Sequence, residues 1–317
     1  MSVFPAHEPI ASGRLPVSGG NEIYWETSGN PDGTPLVHLH GGPGSGAGSW
    51  YRQLYDPSTF LIVSFDQRGC GRSRPLASED PALLPMNTTA QQIADIEALR
   101  EHLRVDAWLV SGLSWGSTLA LAYAEAHPRR VTAMVLAAVA TTTAAEVEWI
   151  TEGVGRIFPR EWDEFATAAQ ARPGQRIIDA YYERITDPDP FVRERAARAW
   201  CTWEDVHVSL AHGFKPSARF DDPGFRLLFA TLVIHYFAHS GFPDAGGIWA
   251  NLERIRHIPV VLIHGRLDIS SPLATAWNLH KQWPGSRLVV IDDEGHGGGG
   301  MFEALSLAAS GLARQLR

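Results

Sequence analysis

The sequence predicts an α/β fold: a mostly parallel central sheet flanked by helices, with a helical cap inserted after the sixth strand. Three observations predict it. Short apolar β-type runs alternate with helical periodicities up to about residue 140 and again from about 248. Residues 141–247 break that rhythm; they are rich in Trp, Arg and Glu and show no clear β-run. A Gly-x-Ser-x-Gly pentapeptide, Gly112-Leu113-Ser114-Trp115-Gly116, falls where a β-type run meets a helix.

The elements follow in order. Residues 21–27 alternate like a strand, and 28–35, rich in Gly, Asn, Asp and Pro, form a turn. Residues 36–39 and 60–65 are short apolar runs, each followed by glycines. From Thr88, the apolar residues Ile93, Ile96, Leu99 and Leu103 recur at helical spacing, with a threonine as N-cap. A strand (107–111), a helix (117–126, ended by His127-Pro128) and a strand (131–139) come next. After the interruption a buried strand (259–264), a helix (274–283), a strand (287–291) and a closing helix (301–316) complete the pattern. The domain reading is a core of residues 1–140 and 248–317 with a helical cap of 141–247, in which most of Trp149, Trp162, Trp200 and Trp203 pack helices together.

Composition allows such a core. Of 317 residues, 44% are hydrophobic and 20% charged, enough to bury a large core without metals or disulfides. Two cysteines, Cys70 and Cys201, are too few for a disulfide framework. The net charge of −8 argues against a nucleic-acid or anionic-membrane surface. No run of eighteen apolar residues is present, and residues 1–15 lack the features of a signal peptide, so the expectation is a cytoplasmic protein, a monomer or small homo-oligomer.

Ser114 on a tight strand-to-helix turn is the candidate nucleophile. A serine hydroxyl needs a base to take its proton, and the base needs an orienting carboxylate. On this scaffold the chain order is Ser, acid, His. Asp268 follows the strand 259–264 and His296 follows the strand 287–291, both on the side of the sheet where such sites form. The three residues in that order predict a catalytic triad on an α/β-hydrolase fold. The oxyanion calls for two backbone N–H donors. Trp115 supplies one; the other comes from His40-Gly41-Gly42-Pro43-Gly44, where Pro43 has no N–H and Gly42 is the choice. No His-to-carboxylate spacing suits a metal, and no metal or cofactor is expected. The loop Asp66 to Ser73 reads as a structural turn held by Asp and Arg, with Cys70 buried rather than reactive. A serine where an epoxide or haloalkane hydrolase would need an aspartate excludes that chemistry, and an intact triad speaks against a receptor.

These motifs resemble the prolyl aminopeptidase (proline iminopeptidase) family of serine peptidases over nearly the whole chain. The resemblance rests on HGGPG at residues 40–44, FDQRGCGRS at 65–73, NTT at 87–89, SWGSTLALAYAEAHPRRV at 114–131 and GRLD at 265–268. In the cap it rests on Phe158-Pro159, on AWCTWE at 199–204, on HYF at 235–237 and on Gly241-Phe242. It implies removal of an N-terminal residue from a small peptide or amide, with Gly41, Glu204 and Phe237 among the substrate-binding residues and Glu204 holding the free imino group. It also marks departures. Val233 stands where a second glutamate is usual, Ala140 and Ile150 where aromatic residues are, and Ser271 where a cysteine is common. Those exchanges are expected to open the pocket and to weaken the hold on an amine. An esterase, lactonase or bulkier amide hydrolase using the same triad therefore stands as the alternative, with an ester in place of the peptide.

Overall fold

The computed structural model describes residues 3–243 and 246–316. Before the cap the chain forms β1 (Ala11–Val17), β2 (Asn21–Gly29), β3 (Thr34–Leu39), β4 (Phe60–Asp66), α1 (Thr89–His102), β5 (Trp108–Leu113), α2 (Trp115–Ala126) and β6 (Val131–Ala137). The intervening helices are α3 (Ala144–Thr151), α4 (Pro159–Ala169), α5 (Ile177–Ile185), α6 (Pro190–His207) and α7 (Pro223–Ala238). The core resumes with α8 (Gly247–Asn251), β7 (Val260–Gly265), α9 (Ala274–Gln282), β8 (Arg287–Ile291) and α10 (Gly299–Gln315).

The sheet order is β1-β2-β4-β3-β5-β6-β7-β8. β1 and β2 run antiparallel and the pairings from β4 to β8 are parallel. The parallel strands read as continuous apolar runs because helices cover both faces. Alternate residues sort to the two sides. Val37, Val110, Leu136 and Leu262 face α1, α2, α8 and α9, while Leu36, Leu109, Val135 and Ile263 face α10 and the turn around Tyr51 and Tyr55. Each such side chain, fully buried, contributes about 1.5–3 kcal/mol.

β1 has no counterpart among the segments singled out from the sequence. Gly13 and Pro16 lie inside it, and both weaken a strand pattern. An edge position tolerates them: β1 pairs with β2 alone. The α1 N-cap is as expected, Thr88 accepting the Gln91 N–H through its side chain.

The helices between β6 and β7 bury a core of their own. Phe165 of α4 stacks on Tyr181 of α5 (4.6 Å between centroids) and on Trp203 of α6 (5.1 Å), and Trp200 meets both Phe165 and Tyr181 edge-on. Each aromatic pair adds about 0.5–1.5 kcal/mol beyond burial. Asp189 and Asp222 cap α6 and α7, each followed by a proline at the first helical position.

Candidate active site

The pentapeptide around Ser114 forms a strand-to-helix elbow between β5 and α2. Ser114 has φ 56°, ψ −124°, outside the usual regions for a side chain, with α2 starting at the next residue. Both glycines are sterically required. A Cβ on Gly112 would lie 2.3 Å from the Gly116 carbonyl oxygen, and one on Gly116 would lie 2.0 Å from that of Leu39. The tight turn leaves Ser114 Oγ exposed to a partner, and His296 Nε2 lies 2.7 Å away. His296 Nδ1 is 2.7 Å from Asp268 Oδ2. The other carboxylate oxygen of Asp268 accepts the Ser271 N–H at 2.9 Å. Asp268 is buried and so holds one orientation.

Burial depresses the proton affinity of His296, but the Asp268 charge and hydrogen bond, with Glu204 beyond, outweigh it. The net pKa lies above the ordinary 6.5. Two further groups fix the loops. His264 Nδ1 accepts the Val139 N–H (3.0 Å), so its Nε2–H donates to the Ser271 carbonyl (2.6 Å) and braces the Asp268 loop. Glu294 accepts the N–H groups of Gly300 and Met301 at the start of α10, which anchors the loop carrying His296.

Gly42 and Trp115 both border the space beside Ser114. Gly42 sits at φ +115°, and a Cβ there would meet the Gly44 nitrogen at 2.6 Å. A Cβ on Gly41 would crowd the Leu113 carbonyl oxygen at 3.0 Å and Ser114 Cβ at 3.1 Å, so the loop 40–44 approaches Ser114 closely through glycine. Gln67 holds this loop to the elbow. Its side-chain N–H donates to the His40 carbonyl (2.9 Å), its Oε1 accepts the Trp115 indole N–H (3.0 Å), and its backbone N–H donates to His40 Nε2 (3.1 Å). That last bond leaves the proton on His40 Nδ1, which donates to the Gly41 carbonyl at 2.9 Å. The turn from Asp66 to Ser73 is thus structural, but it supports the site directly. Its Asp66 accepts from Ala47 N and from Arg72, and Arg68 pairs with buried Asp95. Cys70 is buried.

The α/β-hydrolase fold family matches residues 34–298. A probable proline iminopeptidase of Streptomyces coelicolor is 45% identical over 98% of this chain and 97% of that protein. The proline iminopeptidase of Neisseria gonorrhoeae is 41% identical over 91% of each chain, and that of Arabidopsis thaliana 42% identical over 91% of this chain and 76% of its own. The chain belongs to the proline iminopeptidase family. It is a hydrolase of the α/β-hydrolase fold. Among solved structures, a carboxylesterase of Nitrososphaera gargenis superposes with a TM-score of 0.63 at 18% identity, covering 97% of this chain and 100% of the other. A 2-hydroxy-6-oxo-6-phenylhexa-2,4-dienoate hydrolase from a Rhodococcus strain superposes with a TM-score of 0.58 at 21% identity, covering 96% of each. At that identity these two report the fold alone.

Within this iminopeptidase scaffold, a cavity of ≈ 40 Å³ adjoins Ser114 and His296. Ala140, Ile150, Glu204 and Phe237 line it. Thr142, His207, Ser270 and Ser271, which no sequence motif marks as lining residues, complete its wall. Val233 is placed differently: it is buried in the cap's own hydrophobic cluster and does not line this cavity. Ser271 spends its hydroxyl on the Val139 carbonyl (2.5 Å).

Glu204 reaches the cavity from α6. Among the described residues no arginine or lysine pairs with it; its ion-pair contact is His207 Nε2 at 3.6 Å. His207 is neutral, its pKa driven down to about 3, chiefly by burial. Burial likewise pushes the Glu204 pKa up to about 7, with His296 opposing and Asp205 reinforcing the shift. The Glu204 carboxylate near Ser114 therefore has no arginine or lysine partner among the described residues. The segment after α6 is tied to the site as well: the His296 backbone N–H donates to the Val208 carbonyl (3.2 Å), and the Leu210 backbone N–H to that of Leu267 (3.2 Å). Among the described residues no cluster of ligands suits a metal, and no helix is long and apolar enough to cross a membrane.

Proposed function

We propose that this enzyme cleaves N-terminal proline from short peptides and amides through a prolyl-enzyme formed on Ser114. Ser114 Oγ attacks the carbonyl carbon while His296 Nε2 takes the hydroxyl proton. Asp268 holds the imidazole in the tautomer this requires and stabilises the imidazolium. The N–H groups of Gly42 and Trp115 receive the developing oxyanion. His296 then protonates the leaving nitrogen as the C–N bond breaks. Water enters and gives its proton to His296 as its oxygen bonds to the acyl carbon; the bond to Ser114 Oγ then breaks and His296 returns the proton to that oxygen, releasing proline. Glu204 pairs with the protonated imino group, and Phe237, Ala140 and Ile150 pack the ring.

The observation that carries the reading is the Glu204 carboxylate, without an arginine or lysine partner among the described residues, in the wall of the small cavity beside Ser114. An esterase or lactonase acting on uncharged substrates has no use for such an anion. The proline iminopeptidases of the same family support the choice of proline. A cytoplasmic monomer or small homo-oligomer, binding neither nucleic acid nor membrane, belongs to the same reading and agrees with a net charge of −8. The test compares proline β-naphthylamide with its N-acetyl derivative. Rapid cleavage of the first and none of the second is expected; equal cleavage of both overturns the role of the free amine.

A further inference from the structure

A second cavity, of ≈ 380 Å³, opens from the same triad on the His296 side, sharing Glu204 and His296 with the small one. The leaving nitrogen must lie toward His296, because His296 gives it a proton. The small cavity then takes the acyl residue, and the larger one takes what leaves.

Its lining is specific. Phe214, Phe220, Phe225 and Phe229 form an aromatic wall from the cap, and Lys215 and Arg219 stand among them. The Arg219 guanidinium lies 4.0 Å from the Phe225 ring centre and donates to the Ser45 carbonyl in the oxyanion loop. Among the described residues neither Lys215 nor Arg219 forms a salt bridge, whereas the cap's Arg172, Arg176 and Arg226 all do. Asp205, the one further carboxylate in this lining, is engaged with the Ser217 N–H at 2.8 Å. Aromatic rings next to two unpaired cations suit an apolar side chain carrying a nearby carboxylate.

We propose that this cavity is a leaving-group subsite for the second residue of the substrate, selecting dipeptides with an apolar or aromatic second residue and a free terminal carboxylate. The proposal rests on the peptidase reading above and names the substrate class within it. The aromatic wall packs the second side chain, and Arg219 and Lys215 take the carboxylate, which sets the peptide in line with Ser114.

The test measures kcat/KM of the wild type for Pro-Phe and Pro-Phe-amide, and of Lys215→Gln, Arg219→Gln, the double variant and Arg219→Lys. The wild type is expected to favour the free acid by about fivefold or more, mostly through KM. The ratio should fall toward one in the double variant and be largely kept in Arg219→Lys. Misfolding lowers both substrates together and leaves the ratio intact, so the ratio is the readout. No preference in the wild type, or a preference that survives the double variant, overturns the subsite. Wild-type failure on proline β-naphthylamide and on both peptides overturns the peptidase reading instead.

Discussion

Replacing Glu204 by glutamine keeps the shape of the cavity wall and removes its charge. Moving this carboxylate from its ordinary range of 4.5 to about 7 corresponds to a desolvation penalty of about 3 kcal/mol, which an incoming ammonium group would relieve. A hydrogen bond to a charged group contributes about 1.5–3 kcal/mol net. Glu204→Gln should therefore lower kcat/KM for proline β-naphthylamide by about 10- to 150-fold at pH 7.5 to 8. Hydrolysis of p-nitrophenyl acetate, which has no amine, should change by no more than about threefold. There is also a shift with pH. The Glu204 anion favours protonated His296, so its removal lowers the His296 pKa. The acid limb of the kcat/KM profile for the ester should move to lower pH in the variant. A parallel loss on amide and ester, or an acid limb that moves to higher pH, would refute the assignment.

Other outcomes follow from the same geometry. Asp268→Asn should cost about 10⁴-fold in kcat with little change in fold, because the imidazole loses its enforced tautomer; kinetics beside circular dichroism check this. Gly116→Ala should fail to accumulate as folded protein, since its Cβ would sit 2.0 Å from the Leu39 carbonyl oxygen; the measurement is soluble yield and a thermal melt. Phe165→Ala, which removes the ring stacked between Tyr181 and Trp203, should destabilise the fold by about 3–5 kcal/mol in denaturant titration. Neither Cys70 nor Cys201 should react with a thiol reagent in the native protein, and both should react in denaturant.

Much of the site was legible because its residues obey local rules. Ser114, Asp268 and His296 each follow a strand that the apolar runs reveal, and the glycines at 112 and 116 carry the elbow. The parallel strands were legible for a similar reason, being apolar on both faces. β1 was not: Gly13 and Pro16 disguise it, and only its place at the edge of the sheet makes it tolerable. The start of α2 at Trp115, two residues earlier than the periodicity suggested, is a tertiary effect of the elbow.

The small cavity beside Ser114 was legible in part. Glu204, Phe237, Ala140 and Ile150 came from the family resemblance and do meet at Ser114. Thr142 and the pair Ser270-Ser271 come from two loops far apart in sequence, and no spacing joins the two. His207 had a weak signal, three residues beyond Glu204 on one helix face. Val233 shows the limit of reasoning from position alone, since α7 turns it into the cap's core. Gln67 gave no sign in its spacing that it joins His40 to Trp115; only the packed loops reveal it.

The most direct test of the account labels the nucleophile itself. The enzyme is titrated with a fluorophosphonate while proline β-naphthylamide turnover is followed, and the modified residue is located by peptide mass spectrometry. The account predicts a single adduct on Ser114, with activity lost in proportion to the fraction labelled. Turnover that persists with Ser114 fully modified, or an adduct on another residue that alone abolishes activity, would contradict it.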